Sequence, residues 1–487
     1  EVANLNDPDA GRSLATATDV LSLIGGSFNS WFSGNYSYYG GGMAISNAAF
    51  QHNAPWANAG MEKYGRLPRI AFINSIADGE YSYMTRNWFY SYRAIAAVAD
   101  GLRALDNPDI QAELTDDEIG SARAFGKFVL GVAHGSIATT YAEGFAVDET
   151  TDLLAAQEPM SYDQLIGVAN GYFDEAISLS QGAGWTLPLD WMQAALTGPE
   201  FAKVASSWKA RFRAANARTW EERQALPWSS IIADIDAGIT EDYVPFYDDY
   251  GGWSNDVLGY GSYPYWSQLA YFMYGMADQS GDFRAWDALS LGEKSYNLPS
   301  GDPVRIVTPD ERFPQGTTID EQRENWGAYF RPMKATGSEV GYTWKRPDRG
   351  TWRWSWYKHH RGEEYWIPGN TEDFYQAEIR MEEMRLLKAE GLYHDGNLAG
   401  AAAIVNETRT QWGLNATDAS GTNTSCVPRL PGPNQGYDTD PSDPNCGGLF
   451  EMLKWEKRME NTFRGPQGNL WFYDGRGWGD LWKDTFL

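Results

Sequence analysis

Residues 378–409 constrain the fold more than any other part of the chain. This stretch reads EIRMEEMRLLKAEGLYHDGNLAGAAAIVNETR, and apolar residues recur in both of its halves at the spacing of amphipathic helices. Between the halves, Gly396 can end the first helix in a left-handed conformation and Asn397 can cap the second. Small residues at positions 389, 391 and 401–403 let the two helices approach closely, as in a tetratricopeptide unit. The stretch therefore predicts a tight helical hairpin at about residues 378–412.

Two more helical hairpins are predicted, at about residues 85–145 and 160–225. Two helix starts in these regions have capping-box spacing, at Thr115 with Glu118 and at Ser161 with Gln164. Near the N-terminus, Thr18 and Asp19 are expected to cap a helix that begins with VLSLIGGSF. The sequence thus predicts a mainly α fold in which tetratricopeptide-like hairpins form a discontinuous solenoid.

A long insertion is predicted between the helical regions, from residue 246 to residue 365. Gly and Pro interrupt it repeatedly, and nine of the 22 tryptophans of the chain lie between residues 246 and 366. Because each solenoid unit contacts mainly its neighbours, an insertion between two units disturbs the fold little. We therefore expect one domain over residues 1–487, with a helical body at 1–245 and 366–487 and a loop-rich, aromatic insertion at 246–365.

The C-terminal part of the chain resembles the SusD/RagB family, the surface-exposed nutrient-capture lipoproteins of Bacteroidetes-type outer membranes. The resemblance begins with the hairpin that ends at Asn406 and Arg409, and continues through LFEMLKWEKRMENTF and WFYDGRGWGDL. The matching residues of these two segments are Glu456, Arg458, Glu460, Phe472, Tyr473, Asp474 and Arg476. In the N-terminal half, NWFYSYRAIAAVADGL and SYDQLIGVANGYFDEAISL follow in the order of the family. The resemblance is weakest between residues 246 and 365.

The resemblance implies a non-enzymatic binding protein at the outer membrane surface or outside the cell. Such proteins form a lid over a TonB-dependent transporter barrel and bind an oligosaccharide or a peptide nutrient. Family members carry a lipid on an N-terminal Cys, whereas the sequence starts at Glu1, so whether such a Cys precedes it stays open. The alternative is a secreted structural protein that uses the same scaffold as a homo-oligomer, in an extracellular lattice or filament.

In the family, the binding face is made where an N-terminal loop meets the insertion. The aromatic residues at the matching positions are Trp56, Tyr64, Trp253, Tyr260, Tyr263 and Trp266, and we predict that they form the ligand-binding site. An aromatic face suits sugars because the axial C–H groups of a pyranose stack on the negative π face. Side chains able to bond sugar hydroxyls lie nearby in the sequence, at Asn58, Asp249, Asn255 and Asp256.

Charge and hydropathy exclude several other classes of function. A net charge of −26 and a pI near 4.6 argue against nucleic acid or anionic lipid as a partner. No apolar run approaches the roughly 20 residues that a membrane-spanning helix needs. Glycoside hydrolysis needs two carboxylates on separate elements, which the adjacent Asp248 and Asp249 do not specify. We therefore predict no catalytic residues.

The loop between Cys426 and Cys446 is the expected place for a disulfide. The intervening residues are rich in Pro, Gly, Asn and Asp, and closing about 20 residues would stabilise the fold by roughly 3 kcal/mol. Two unpaired thiols are the alternative. The same loop contains oxygen ligands that suit calcium, at Asp438, Asp440, Asp443 and Asn445. It lacks the Gly and distal Glu of an EF-hand, so we expect no metal or cofactor and leave calcium open.

Two further predictions concern residues inside the fold. Glu456 shares a helix face with apolar residues, so Glu456 and Arg458 are expected to be structural, as are Asp474 and Arg476. Arg409 or Arg476 is the expected partner of Glu456. In TWRWSWY, an extended strand would place all three indoles on one face. We favour burial of that face over a binding platform.

Overall fold

The structure is a computed structural model of the chain. It describes residues 14, 16–58, 60–73, 75–248, 252–335, 339, 345–363, 374–419 and 448–482. The N-terminal α-helices are Ala17–Tyr36, Gly41–Ala48, Met61–Tyr64, Tyr81–Leu105, Pro108–Gln111, Asp116–Thr140, Tyr162–Ser180, Leu189–Met192, Gly198–Ala215, Trp220–Gln224 and Trp228–Asp236. The α-helices that follow are Asp256–Ser262, Tyr271–Tyr274, Asp282–Asp287, Ile319–Glu324, Met381–His394, Leu398–Gln411, Leu449–Glu460 and Leu470–Trp478.

The strands are short and form antiparallel pairs. Glu143–Gly144 pairs with Met160–Ser161, Phe246–Tyr247 with Phe374–Tyr375, and Phe330–Pro332 with Tyr357–His359. The remaining short elements are 3-10 turns at Gly275–Ala277, Pro347–Arg349, Thr351–Arg353 and Pro466–Gly468. The predicted mainly α fold is therefore confirmed.

The three predicted hairpins are all present. The first hairpin consists of Tyr81–Leu105 and Asp116–Thr140, the second of Tyr162–Ser180 and Gly198–Ala215, and the third of Met381–His394 and Leu398–Gln411. Neighbouring helices of the first two hairpins pack against each other along the chain, as expected of a solenoid. The predicted capping boxes form, because the side chains of Glu118 and Gln164 accept the backbone N–H groups of Thr115 and Ser161.

The N-terminal helix Ala17–Tyr36 packs on the first hairpin. It begins three residues earlier than predicted, at Ala17 instead of Val20, because Thr16 rather than Thr18 is the N-cap and Asp19 completes the capping box. Its buried face includes Val20, Ile24 and Trp31. The close approach depends on Gly101 of the first hairpin, where an added Cβ would lie 2.5 Å from Cγ1 of Ile24.

The insertion shares an aromatic core with N-terminal and C-terminal segments of the chain. Phe272 and Trp286 lie 4.9 Å apart, and Tyr274 contacts Trp471 of the C-terminal helix at 5.1 Å. The strand considered for TWRWSWY does not form, because Thr351–Arg353 forms a 3-10 turn and the strand begins only at Tyr357. Of the three indoles, Trp352 is buried as favoured, whereas Trp354 and Trp356 are half-buried. Aromatic contacts therefore join the insertion to the C-terminal helix.

Glu456 is fully buried, and its main partner lies in the insertion. Its carboxylate accepts two hydrogen bonds from Arg312, at 2.8 and 3.2 Å, and a longer one from Arg409 at 3.5 Å. Arg409 was an expected partner, whereas Arg312 was not. Arg476, the other expected partner, instead donates to the carbonyl oxygens of Thr139 and Ala215.

A second buried network joins the C-terminal helices to the rest of the helical body. Glu390 accepts two hydrogen bonds from Arg223, each 2.7 Å long, and one from Lys457 at 2.6 Å. Asp474 accepts a further bond from Arg223 at 2.8 Å. Nearby, Arg458 pairs with Asp480 at 3.1 Å. The predicted structural residues Asp474 and Arg458 thus lie in buried ion pairs, although their energetic contributions stay predictions.

Some of the predicted features lie outside the described residues. These are Cys426 and Cys446, the candidate calcium ligands, and Asp249. Within the described ranges, no group of three or more His, Cys, Asp or Glu side chains is placed to hold a metal ion. No helix of the described chain has the length and apolar character needed to span a bilayer.

All five histidines have lowered pKa values because burial disfavours the imidazolium. Burial lowers the pKa of His52 and His134 to about 4. His134 Nδ1 lies 2.7 Å from the Leu130 carbonyl oxygen, and the backbone N–H of Val147 donates to Nε2. A second proton, on Nε2, would therefore point at the N–H group of Val147, which is itself a donor.

Because of these histidines, we expect the free energy of unfolding to decrease as the pH is lowered. The unfolded chain binds the proton near pH 6.5, so the stabilisation is complete above that value and is lost as pH falls toward 4. Burial raises the pKa of Glu378 and Glu456, and these two groups therefore change stability with pH in the opposite direction. The effect of the histidines must for this reason be measured with a variant of a single residue. His134→Gln should reduce the loss of unfolding free energy between pH 7 and pH 5 by about 2 kcal/mol, measured by urea denaturation.

Thr139→Val is the control for this prediction. Thr139 lies in the same helix as His134, is equally buried and does not titrate. Its substitution should change stability by the same amount at both pH values. A pH dependence in His134→Gln equal to that of the wild type would contradict the assignment.

Candidate ligand-binding site

The structure brings four of the six predicted aromatic residues together. Trp266 lies 5.4 Å from Trp56 and 5.2 Å from Tyr260, measured between ring centroids. Tyr263 packs against the same cluster and lies 4.7 Å from Tyr265. An N-terminal loop and the start of the insertion thus meet, as the resemblance implies.

Tyr265 is one of four tyrosines of this cluster that were not predicted, and the other three extend it. Tyr38 lies 4.9 Å from Tyr260 and 5.0 Å from Trp266, and Tyr39 stacks on Tyr83 at 6.4 Å. Tyr39 is 57% exposed and is therefore the most accessible ring. We call the whole set the aromatic patch, which consists of Tyr38, Tyr39, Trp56, Tyr83, Tyr260, Tyr263, Tyr265 and Trp266. The signal that could have revealed Tyr38 and Tyr39 is the Gly-rich segment NYSYYGGG that contains them.

Trp253 and Tyr64 lie apart from the patch. Trp253 packs between the rings of Phe28 and Phe32, at 6.0 and 5.3 Å, in the core of the helical body. Tyr64 stacks on Phe72 at 5.6 Å and is 5% exposed. Their surroundings are those of core residues, so we do not include these two in the patch.

Some of the polar groups beside the patch already form hydrogen bonds within the protein. Asp256 accepts hydrogen bonds from the Tyr38 backbone N–H and the Ser254 hydroxyl, both at 2.6 Å, and burial raises its pKa. Asn255 caps the following helix through the Leu258 N–H. Arg86 contributes a cation, with its guanidinium carbon 6.0 Å from the centroid of the Tyr39 ring. Asn58 is half-buried.

One helix separates the aromatic patch from a second aromatic surface. This helix, Tyr81–Leu105, has 3.6 residues per turn, so residues 83, 86 and 90 share one flank and residues 81, 85, 88 and 92 share the other. Tyr83 and Arg86 of the first flank face the patch. Tyr81, Thr85 and Trp88 of the second flank line a groove of about 460 Å³. The groove was not predicted from the sequence.

Comparison with known proteins supports the fold but not a particular ligand. No protein-family profile matches the sequence, and no curated protein is recognisably similar to it. A SusD superfamily protein from Bacteroides vulgatus superposes with a TM-score of 0.55 at 14% identity, covering 97% of this chain and 91% of that one. A SusD-like protein from Bacteroides fragilis gives a TM-score of 0.54 at 14% identity, covering 97% and 88%. Together with the order of the hairpins, these overlaps show that the protein has the SusD-like fold.

Proposed function

We propose that this protein is a non-enzymatic carbohydrate-binding protein that binds its ligand at the aromatic patch. The observation that carries the proposal is the meeting of aromatic rings from two distant segments, residues 38–83 and 260–266, at the surface of a SusD-like fold. Tyr39 offers an accessible ring, and Trp56, Tyr260, Tyr263 and Tyr265 are half-buried around it. Half-buried rings have fixed orientations yet keep a face or an edge available to a ligand.

The chemistry of the patch favours a hydroxyl-rich ligand. Pyranose C–H groups stack on the tyrosine and tryptophan rings, and the Arg86 guanidinium can donate hydrogen bonds to hydroxyl oxygens. The acidity of the chain disfavours nucleic acid, which also stacks on aromatic rings but needs a basic groove. Each exposed hydrogen bond contributes only about 1 kcal/mol, so we expect affinities of roughly micromolar to millimolar.

The partner and location that we propose follow from the family resemblance. The protein would sit at the outer membrane surface and pass its ligand to a TonB-dependent transporter. Co-purification of such a barrel with the tagged full-length chain from its native membrane would test this part. Recovery of the chain from the culture medium without a barrel would contradict it.

Tyr39→Ala is expected to weaken glycan binding about 2- to 12-fold, because one stacked ring contributes about 0.5–1.5 kcal/mol. Trp56→Ala should have a similar effect. A glycan array identifies a ligand first, and calorimetry then compares the variants. Tyr375→Ala is the matched control, since Tyr375 is a 69% exposed tyrosine on a strand outside the patch.

Equal affinities of wild type and Tyr39→Ala, with Trp56→Ala also unchanged, would refute the site. The melting temperature of each variant separates lost binding from lost folding. If the wild type bound no glycan and Tyr39→Ala abolished an assembled form in sedimentation, the lattice alternative would replace the proposed function.

A further inference from the structure

We propose that the groove on the second flank of Tyr81–Leu105 binds an organic ammonium group. The groove is separate from the aromatic patch, because the two lie on opposite flanks of one helix. Its lining residues are Tyr81, Thr85, Trp88, Phe89, Tyr141, Ala142, Glu143, Gly144, Phe145 and Pro159. The inference therefore does not rest on the proposed function.

Five of the ten residues that line the groove are aromatic. The Trp88 ring is held by Tyr141 at 5.1 Å and by Phe145 at 6.4 Å, both edge to face. The Tyr141 hydroxyl donates to the Met84 carbonyl oxygen, and its oxygen accepts the Trp88 backbone N–H at 2.9 Å. The wall is therefore rigid at its base. Phe89 forms the rim and is 63% exposed, although a free aromatic ring in water is unfavourable.

The charge of the groove is negative. Glu143 is exposed, and no hydrogen bond or ion pair involves its carboxylate within the described chain. None of the described lining residues is Lys, Arg or His. The backbone of Glu143 is fixed by the strand pair with Met160–Ser161, where Glu143 lies opposite Ser161. The backbone of Glu143 is thus held in the same groove lining as the rings, and its exposed carboxylate is within the reach of one side chain.

Aromatic faces beside an unpaired carboxylate match a soft organic cation. The ring quadrupole attracts an ammonium or alkylammonium group, and the interaction strengthens as the cation is desolvated. An acidic partner would instead meet the Glu143 carboxylate, and the net charge of −26 would add to that repulsion. Arg218 donates to the carbonyl oxygens of Ala138 and Tyr141 but is not one of the lining residues. The ammonium group can belong to an amino sugar or to a lysine-containing peptide, which offer the groove the same chemistry.

Choline and its uncharged carbon isostere, 3,3-dimethylbutan-1-ol, test the charge requirement directly because they have nearly the same shape. We expect NMR titration of the full chain to show millimolar choline binding, and binding of the isostere at least fivefold weaker. Choline binding should also weaken as salt rises, since an exposed carboxylate is screened. Equal binding of the two probes, or no binding of choline, would overturn the proposal.

Two exposed positions allow substitutions that leave the fold intact. Glu143→Gln should weaken choline binding about three- to fivefold and leave the isostere unchanged, and Phe89→Ala should weaken choline about threefold. The matched controls are Glu324→Gln and Leu189→Ala, an exposed carboxylate and a 60% exposed apolar side chain outside the groove. Wild-type choline affinity in Glu143→Gln would overturn the role of the carboxylate.

The source of the ammonium group is decided by two larger probes. A glucosamine oligosaccharide is compared with its N-acetylated form, and a lysine-containing peptide with its acetylated form. Whichever amine-bearing probe shifts the Phe89 and Trp88 resonances identifies the source. Binding of both acetylated forms as tightly as their free amines would overturn the proposal, even if the aromatic patch bound glycans as proposed.

Discussion

Glu390→Ala is expected to lower the free energy of unfolding by about 3–5 kcal/mol, because it leaves Arg223 and Lys457 as buried cations with fewer partners. All three side chains are almost fully buried. Burial by itself raises the pKa of Glu390, but Arg223 and Lys457 outweigh it and hold that pKa well below its usual range. The carboxylate is therefore ionised at neutral pH. Urea denaturation with an unchanged m value would measure the loss.

Glu407→Ala is the control for this change. Glu407 also lies in the third hairpin and pairs with Arg385 at 2.8 Å, but both side chains are about half exposed. Exposed ion pairs contribute about 1 kcal/mol or less. Similar losses for Glu390→Ala and Glu407→Ala would show that burial does not set the strength of the first pair.

Arg312→Ala is expected to destabilise the protein by a similar amount, about 3–5 kcal/mol. Its guanidinium bonds Asp310 and Glu456, each at 2.8 Å, and contacts Glu460 at 3.3 Å. Without it, three buried carboxylates lie close together with less compensation. Arg346→Ala is the matched control, since Arg346 also belongs to the insertion but pairs with Asp348 at the surface.

A double variant tests whether Arg312 and Glu456 act together. Residues of one hydrogen-bonded network show coupling of about 0.5–3 kcal/mol, so Arg312→Ala with Glu456→Ala should cost less than the sum of the single changes. Additive losses would mean that the two residues stabilise the protein separately. A wild-type melting temperature for Glu456→Ala would contradict the burial argument altogether.

The helical hairpins could be predicted because their signals are local. Apolar spacing, small residues at close contacts and capping boxes such as Thr115 with Glu118 all lie within one or two turns. The partner of Glu456 could not be predicted in this way, because Arg312 lies 144 residues away in the segment with the weakest resemblance. The order of the family's segments predicts the C-terminal helices, but it does not indicate which distant cationic side chain pairs with their carboxylates.

The candidate site was predictable only in part. Trp56, Tyr260, Tyr263 and Trp266 were predicted from the positions that match the binding face of the family, but the same criterion selected Trp253, which lies in the core between two phenylalanines. The alternating tryptophans near residue 354 do not lie on a strand, and the reason is the conformation of the backbone. Gly350 adopts a φ of 103°, and the 3-10 turn that follows breaks the alternation that a strand would need.

The buried bond between Arg312 and Glu456 also changes what a ligand at the aromatic patch would do. It anchors the insertion, which supplies Tyr260 and Trp266, in the helical body. A molecule that binds only the folded insertion therefore raises the free energy of unfolding of the whole chain by RT ln(1 + [L]/Kd). At a hundredfold excess over Kd this amounts to about 2.7 kcal/mol. The melting temperature of the entire protein thus reports whether a ligand is bound at the aromatic patch, and unlabelled glycans can be screened by thermal shift alone.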